Sequence, residues 1–177
     1  MHKSTQTALL TGLLALLPLV SNAQTCKPES IPATTPDSQL RDNGDGTVTD
    51  TKTGLMWKQC AEGRSDVGCA TGTPQTSTWQ AALAQVQTVN ASGGFAGYTD
   101  WRLPNIKELR SIVERQCYYP AINLTRFPNT SITAFWSSSP DVYSDSDLAR
   151  LVSFYDGNDN WAGRSNDFQI RLVRSGQ

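Results

Sequence analysis

The chain has 177 residues, 15 basic and 16 acidic side chains, a formal charge of −1, 38% hydrophobic residues and four cysteines. This balance excludes the strongly basic electrostatics expected of a nucleic-acid-binding domain. The single histidine is His2, so any mature form that lacks residue 2 must work without an imidazole base or ligand.

Residues 1–23 read as a secretory signal peptide. Lys3 supplies the positive start, Ala8 to Val20 form the apolar run, and Ser21-Asn22-Ala23 supplies the small-residue cleavage pattern. The apolar run is thirteen residues long, short of the roughly 20 that a membrane span needs. Cys26 raises a lipid-anchored alternative, but Ala23-Gln24-Thr25 lacks the Leu and small-residue pattern of a lipid-modified cysteine. The reading is cleavage after Ala23, no membrane span, and a periplasmic, secreted or cell-surface location in a bacterium. That leaves 154 residues with 14 basic and 16 acidic side chains, enough for one ordinary core.

Gln24 to Leu40 is rich in Pro, Thr and Ser without periodicity and reads as an N-terminal arm or linker pinned at Cys26. The domain is taken as residues 41–177. Strand signals occupy Thr47–Thr49 and Gly54–Lys58. Trp79, Ala82, Leu83, Val86 and Val89 recur at helical spacing after a Thr78 cap, and Gly93-Gly94 makes a turn. A second helix starts at Asn105, with Glu108 completing a capping box. Its buried face is Ile106, Leu109, Ile112 and Val113, with Lys107, Arg110 and Arg115 on or near the other side. Phe135-Trp136, Leu148–Tyr155 and Phe168–Val173 then read as β-segments. In the last, Phe168, Ile170 and Leu172 alternate with Gln169, Arg171 and Val173 as a half-buried strand would. Two helices among β-segments predict an α+β domain with an antiparallel sheet.

All four cysteines lie beyond residue 23, and an even number in an exported chain reads as disulfides. Three pairings exist. Cys60 and Cys69 flank the short loop AEGRSDVG and form the natural local pair, leaving Cys26 with Cys117. A zinc site is disfavoured, because there is no C-x-x-C and no histidine after His2.

No enzyme is expected. A carboxylate-based glycan hydrolase survives as an alternative because it needs only two acids. None of the twelve Asp and four Glu stands in a context that marks an acid held in an apolar pocket. No cofactor is expected, with calcium the one metal worth testing. RDNGDGTVTD (Arg41–Asp50) resembles a calcium loop, but with Gly46 as the invariant glycine Arg41 and Lys52 fall on ligand posts. Starting at Asp42 instead puts Gly44 and Gly46 there, so the stretch reads as a tight turn. In YDGNDNWAGRSND, Asp156, Asn158, Asn160 and Asp167 occupy positions 1, 3, 5 and 12, but Trp161 stands where the bend needs glycine. That stretch reads as a hairpin loop. Its rings, amides and cation nominate Tyr155, Asp156, Asn158, Asn160, Trp161 and Arg164 as ligand-binding residues, for a glycan or for a protein surface. Whether Lys107, Arg110, Arg115 and Arg164 converge into a site for sulfated glycans is left open.

Several blocks carry a family resemblance: DNGDGTVTDTKTGLMW (Asp42–Trp57), TWQAAL (Thr78–Leu83), GYTDWRLPNIKEL (Gly97–Leu109), PAIN (Pro120–Asn123), FPNT (Phe127–Thr130), FWSSSP (Phe135–Pro140) and IRLVR (Ile170–Arg174). Together they resemble the Lcl C-terminal domain family, named after the terminal domain of a bacterial collagen-like adhesin. The resemblance implies an exported bacterial domain related to C-type-lectin-like folds, with two helices, a twisted antiparallel sheet and long loops. It also implies adhesion, since some relatives bind glycans, sulfated ones included. The chain departs from the namesake by lacking a collagen region. It also lacks the Glu-Pro-Asn and Gln-Pro-Asp triplets of calcium-dependent lectins, Ser139-Pro140-Asp141 being the nearest string. Within the family pattern Trp57, Trp79, Trp101 and Trp136 are expected in the core, and Arg102 and Arg171 as internal braces. Trp161 lies outside the blocks and is the first choice for a ligand-facing ring. The expected function is a non-catalytic binding or adhesion module. The rival is a structural component of an envelope or appendage assembly docking through Gln24–Leu40.

Overall fold

The computed structural model describes residues 23–142 and 147–176; the signal-peptide reading, apart from Ala23, lies outside the described residues. In chain order the elements are β1 (Thr25–Cys26), β2 (Leu40–Asp42), β3 (Thr47–Asp50) and β4 (Leu55–Lys58), then the short β5 (Arg64–Ser65), β6 (Thr71–Gly72) and β7 (Thr76–Ser77). Next come α1 (Trp79–Ala91), α2 (Ile106–Ser111), β8 (Cys117–Tyr118), β9 (Ala134–Pro140), β10 (Leu148–Ser153), β11 (Asp159–Gly163), β12 (Phe168–Gln169) and β13 (Val173–Ser175).

Local chemistry accounts for the boundaries. Between β2 and β3, Gly44 and Gly46 take φ of +76° and +83°. There Asp42 accepts from the Gly44 N–H, and Asp45 from the Thr47 N–H and hydroxyl. The calcium-like letters turn the chain. Thr78 caps α1 by accepting from the Ala81 N–H, and the full capping box of Asn105 and Glu108 starts α2. Glu108 also binds Arg102 through both carboxylate oxygens, at 2.7 and 2.6 Å. It is a structural acid.

β13-β4-β3-β2 form a four-stranded antiparallel sheet, and β11-β10-β9-β12-β7 a five-stranded one in which β12 runs parallel to β9. Phe135 and Val152 pack with Leu109, Ile112, Trp57 and Val173, while their neighbours Trp136 and Leu151 pack with Ala82, Val86, Ile170 and Leu172. Since successive strand residues face opposite ways, the larger sheet is covered on both faces. This is the α+β architecture expected. Trp57, Trp101 and Trp136 are fully buried. Trp79 is half-buried, its indole donating to the Ser137 carbonyl.

The closing segment corrects the expected half-buried strand. It breaks between β12 and β13, passing from one sheet to the other, and Gln169 through Arg174 are all buried. Alternation misleads here because the polar residues find partners inside. Arg171 donates to the carbonyls of Lys58 and Gln59 and to the Thr130 hydroxyl, with the Phe127 ring 4.8 Å away. Burial pushes its guanidinium down to about 9, against the pull of Glu62, which leaves it charged at neutral pH. Gln169 accepts from Ser131.

Both predicted disulfides form, Cys26–Cys117 and Cys60–Cys69. Gln24–Leu40 is fastened well beyond Cys26. β1 pairs with β8, the Gln24 amide donates to Pro120 and Ile122, and Leu40 is fully buried. Buried Glu114 accepts from Thr34 and Thr35, backbone and hydroxyl, and from the Gln116 N–H. Burial, the largest influence, raises its pKa. The N–H groups of Thr34, Gln116 and Thr35 outweigh it, and the carboxyl ends below its ordinary value. No helix among the described residues is long and apolar enough to cross a membrane.

Candidate functional site

β10 and β11 form a hairpin in which Arg150 faces Trp161 and Val152 faces Asp159. Gly157 closes the turn at φ +78°, and a Cβ there would lie 2.5 Å from Val113 Cγ1. Only glycine lets the turn rest on the segment after α2. The hairpin end is therefore held in place while its side chains face solvent.

The six nominated residues separate. Asp156 turns inward on its own loop, accepting from the Asn158 N–H and side-chain amide, and Asn160 accepts from the Trp161 N–H. The side-chain oxygens of Asp156 and Asn160, two of the four posts of the imagined calcium cage, thus already have protein partners. Arg164 lies 4.4 Å from the Trp79 ring centre and donates to the Leu148 carbonyl, so it belongs to the α1 side. Tyr155 and Trp161 are the exposed rings, at 44% and 53%. Trp161, opposite Arg150 and two residues from Asp159, shares their face of the sheet. On that face Arg150 binds Asp159 and approaches Asp141 at 3.7 Å, while Arg110 reaches Asp159 at 3.4 Å. Of the four cations considered for an anionic ligand, Arg110 and Arg164 are thus engaged in different places, and Lys107 and Arg115 are exposed.

The sequence reading missed Tyr155's partners. Tyr119 packs against Tyr155 with centroids 4.2 Å apart, and Tyr118 against Tyr119 at 5.9 Å. The Tyr119 N–H donates to the Tyr155 carbonyl. The Tyr155 hydroxyl, then burial and the neighbouring phenols, hold the Tyr119 phenol above its usual range. Tyr118 and Tyr155 are each at least 40% exposed, making a run of three rings at the surface. The doublet Tyr118-Tyr119 was visible in the sequence, but its meeting with Tyr155 across 36 residues was not.

A concavity of about 400 Å³ opens elsewhere, between the β2–β3 turn and the Cys60–Cys69 loop. Phe95, Gly46 and Cys60 are among its lining residues, and Val67 stands almost fully exposed at its rim. It shares no lining residue with the tyrosine run or Trp161.

The family model described as the Lcl C-terminal domain matches residues 46–174, well over half of the chain. No curated protein matches.

Proposed function

Since the chain belongs to the Lcl C-terminal domain family, we propose that it is an exported, non-catalytic adhesion module of C-type-lectin-like fold that recognises a glycan through its tyrosine surface. The observation that carries this reading is the run Tyr118–Tyr119–Tyr155, with Tyr118 and Tyr155 exposed and Tyr155 held on a fixed hairpin end. Rings of this kind offer large apolar faces beside a polar hydroxyl at little cost in side-chain entropy. Two disulfides fit an oxidising compartment, in line with a periplasmic or cell-surface location. The internal bonds of Asp156 and Asn160 support recognition that needs no calcium.

Glu108 and Glu114, held below their ordinary pKa, are the opposite of a general acid kept protonated. This weighs against the hydrolase alternative, which turnover of a polysaccharide abolished by one Asp or Glu substitution would revive. A protein partner is the second reading. β11 is the outer strand of its sheet and carries exposed Trp161, an edge on which a partner strand can be added. Docking through Gln24–Leu40 has less support, because that segment is already bound to its own domain.

A glycan array with residues 24–177, run with calcium and with chelator, tests the proposal. Binding that survives chelation and is lost in Tyr155→Ala is the expected result. Loss on chelation would point back to a calcium cage. A blank array, with a stoichiometric protein captured and then lost in Trp161→Ala, would replace the glycan by a protein partner.

A further inference from the structure

The concavity between the β2–β3 turn and the disulfide loop carries an unused polar group. Gln59 lines it and is only 8% exposed, yet its side-chain amide makes no hydrogen bond with any described residue. Its backbone, in contrast, is fully engaged. The N–H donates to Gly46 and the carbonyl accepts from Arg171, so the residue is fixed while its amide stays unpartnered. Its amide atoms are not cut off from solvent, so they remain available to bond a ligand that fills the cavity.

The other lining groups define that ligand's chemistry. Arg64 uses one amino nitrogen on the Cys69 carbonyl and leaves the other without a described partner. Asp42, Asp45 and Asp66 each spend oxygen atoms on their own turns and add acceptors at the rim. The floor is apolar. The Phe95 ring is pressed against Gly46, where a Cβ would lie 2.9 Å from the ring, and Cys60 of the disulfide also lines the cavity. An anion would use the donors and meet three carboxylates. An ammonium would use the carboxylates and leave the amide N–H groups and Arg64 unanswered. Hydroxyl groups both donate and accept, so a ring bearing several of them satisfies both sets beside the Phe95 ring, over which Lys58 Nζ sits 4.5 Å from the centre. The volume falls within the usual range of small-ligand sites, about 300–1,000 Å³.

We propose that this cavity, with Gln59 in its lining, is a binding site for a single uncharged hexopyranose residue, separate from the tyrosine surface. It extends the glycan reading without depending on the tyrosine surface, since no residue is shared.

The test is an NMR titration of the disulfide-bonded protein with methyl glucoside, methyl galactoside and methyl mannoside, alongside polysaccharide binding to the same samples. At least one glycoside is expected to shift the Gly46, Gln59 and Ser65 amides. Gln59→Leu should weaken that binding about tenfold, the loss of roughly one good hydrogen bond. Val67→Trp, placed on an exposed rim residue so that folding is spared, should block it. Tyr155→Ala should leave it unchanged. Glycoside binding untouched by both cavity variants overturns the inference, as does binding of tetramethylammonium or sulfate at these amides in place of the glycosides. Polysaccharide binding lost in Tyr155→Ala with no cavity shifts sinks the inference and leaves the surface reading standing. Cavity shifts without any polysaccharide binding do the reverse.

Discussion

The closing segment from Phe168 to Ser175 and the β10–β11 hairpin end are both mixtures of aromatic, polar and charged residues, yet the fold treats them oppositely. In the first, Arg171 is fully buried with three acceptors. In the second, Tyr155 and Trp161 stand in solvent although both are large and apolar. The difference lies in what surrounds each chain. The closing segment runs between two sheets whose carbonyls need donors, whereas the hairpin end is seated through Gly157 on Val113 and spends its polar side chains on its own turn and strands. Composition alone does not say which residues hold the molecule together and which are free to bind.

Breaking the buried side should cost most. Arg171→Leu leaves the Lys58 and Gln59 carbonyls without their donor, and a loss of about 3–5 kcal/mol is expected in urea melts, by comparison with breaking other buried charged contacts. Glu114→Gln should cost about 2–3 kcal/mol, the scale of hydrogen bonds to a charged group. Its pH dependence has a definite sign. The folded carboxyl lies below its ordinary value near 4.5, so its stabilisation is fully present above that value and fades as pH falls through the folded one. The protection factors of the Thr34, Thr35 and Gln116 amides, corrected for intrinsic exchange, should therefore fall below about pH 4.5 in the native protein and change little there in Glu114→Gln. Gly157→Ala adds a clash with Val113 at a positive φ and should cost about 1–3 kcal/mol, displacing Tyr155 from Tyr119 in NMR contacts. Trp161→Ala should change stability by no more than about 0.5 kcal/mol, and Tyr155→Ala, which loses its contact with Tyr119, by about 0.5–1.5 kcal/mol, with the main effect of both on binding. A large loss of stability from either would erase the contrast between the two regions.

Much of the frame was legible because it is local. Thr78, Asn105 and Glu108 cap helices through bonds to residues three positions away, and the Gly44–Gly46 turn needs only its own backbone. The cysteine loop named its own pair, and elimination gave the other. The closing strand was misread because period-2 alternation reports polarity, not burial, and the partners of Arg171 come from segments 41 and 112 or more residues away. Gln24–Leu40 looked like a loose arm because its anchors, Glu114, Pro120 and Ile122, lie 79 or more residues on. The candidate surfaces were legible only in part for the same reason. Tyr155 was found without Tyr119, and Asp42 was seen without the Gln59 and Phe95 that share its cavity.

The Cys26–Cys117 bond also determines how the protein bears a load. A pull on the amino end reaches Cys26 and crosses covalently to Cys117, so residues 27–116, with β2 to β4 and both helices, lie in a closed loop outside the line of tension. If the opposing grip is a ligand on Tyr155, the stretched chain is only the run from Cys117 to Tyr155, which β1–β8 and β9–β10 pairing must resist. Reducing the bond would put the looped residues back in line and bring the extensible chain from residues 117–155 to residues 26–155, more than three times its former length.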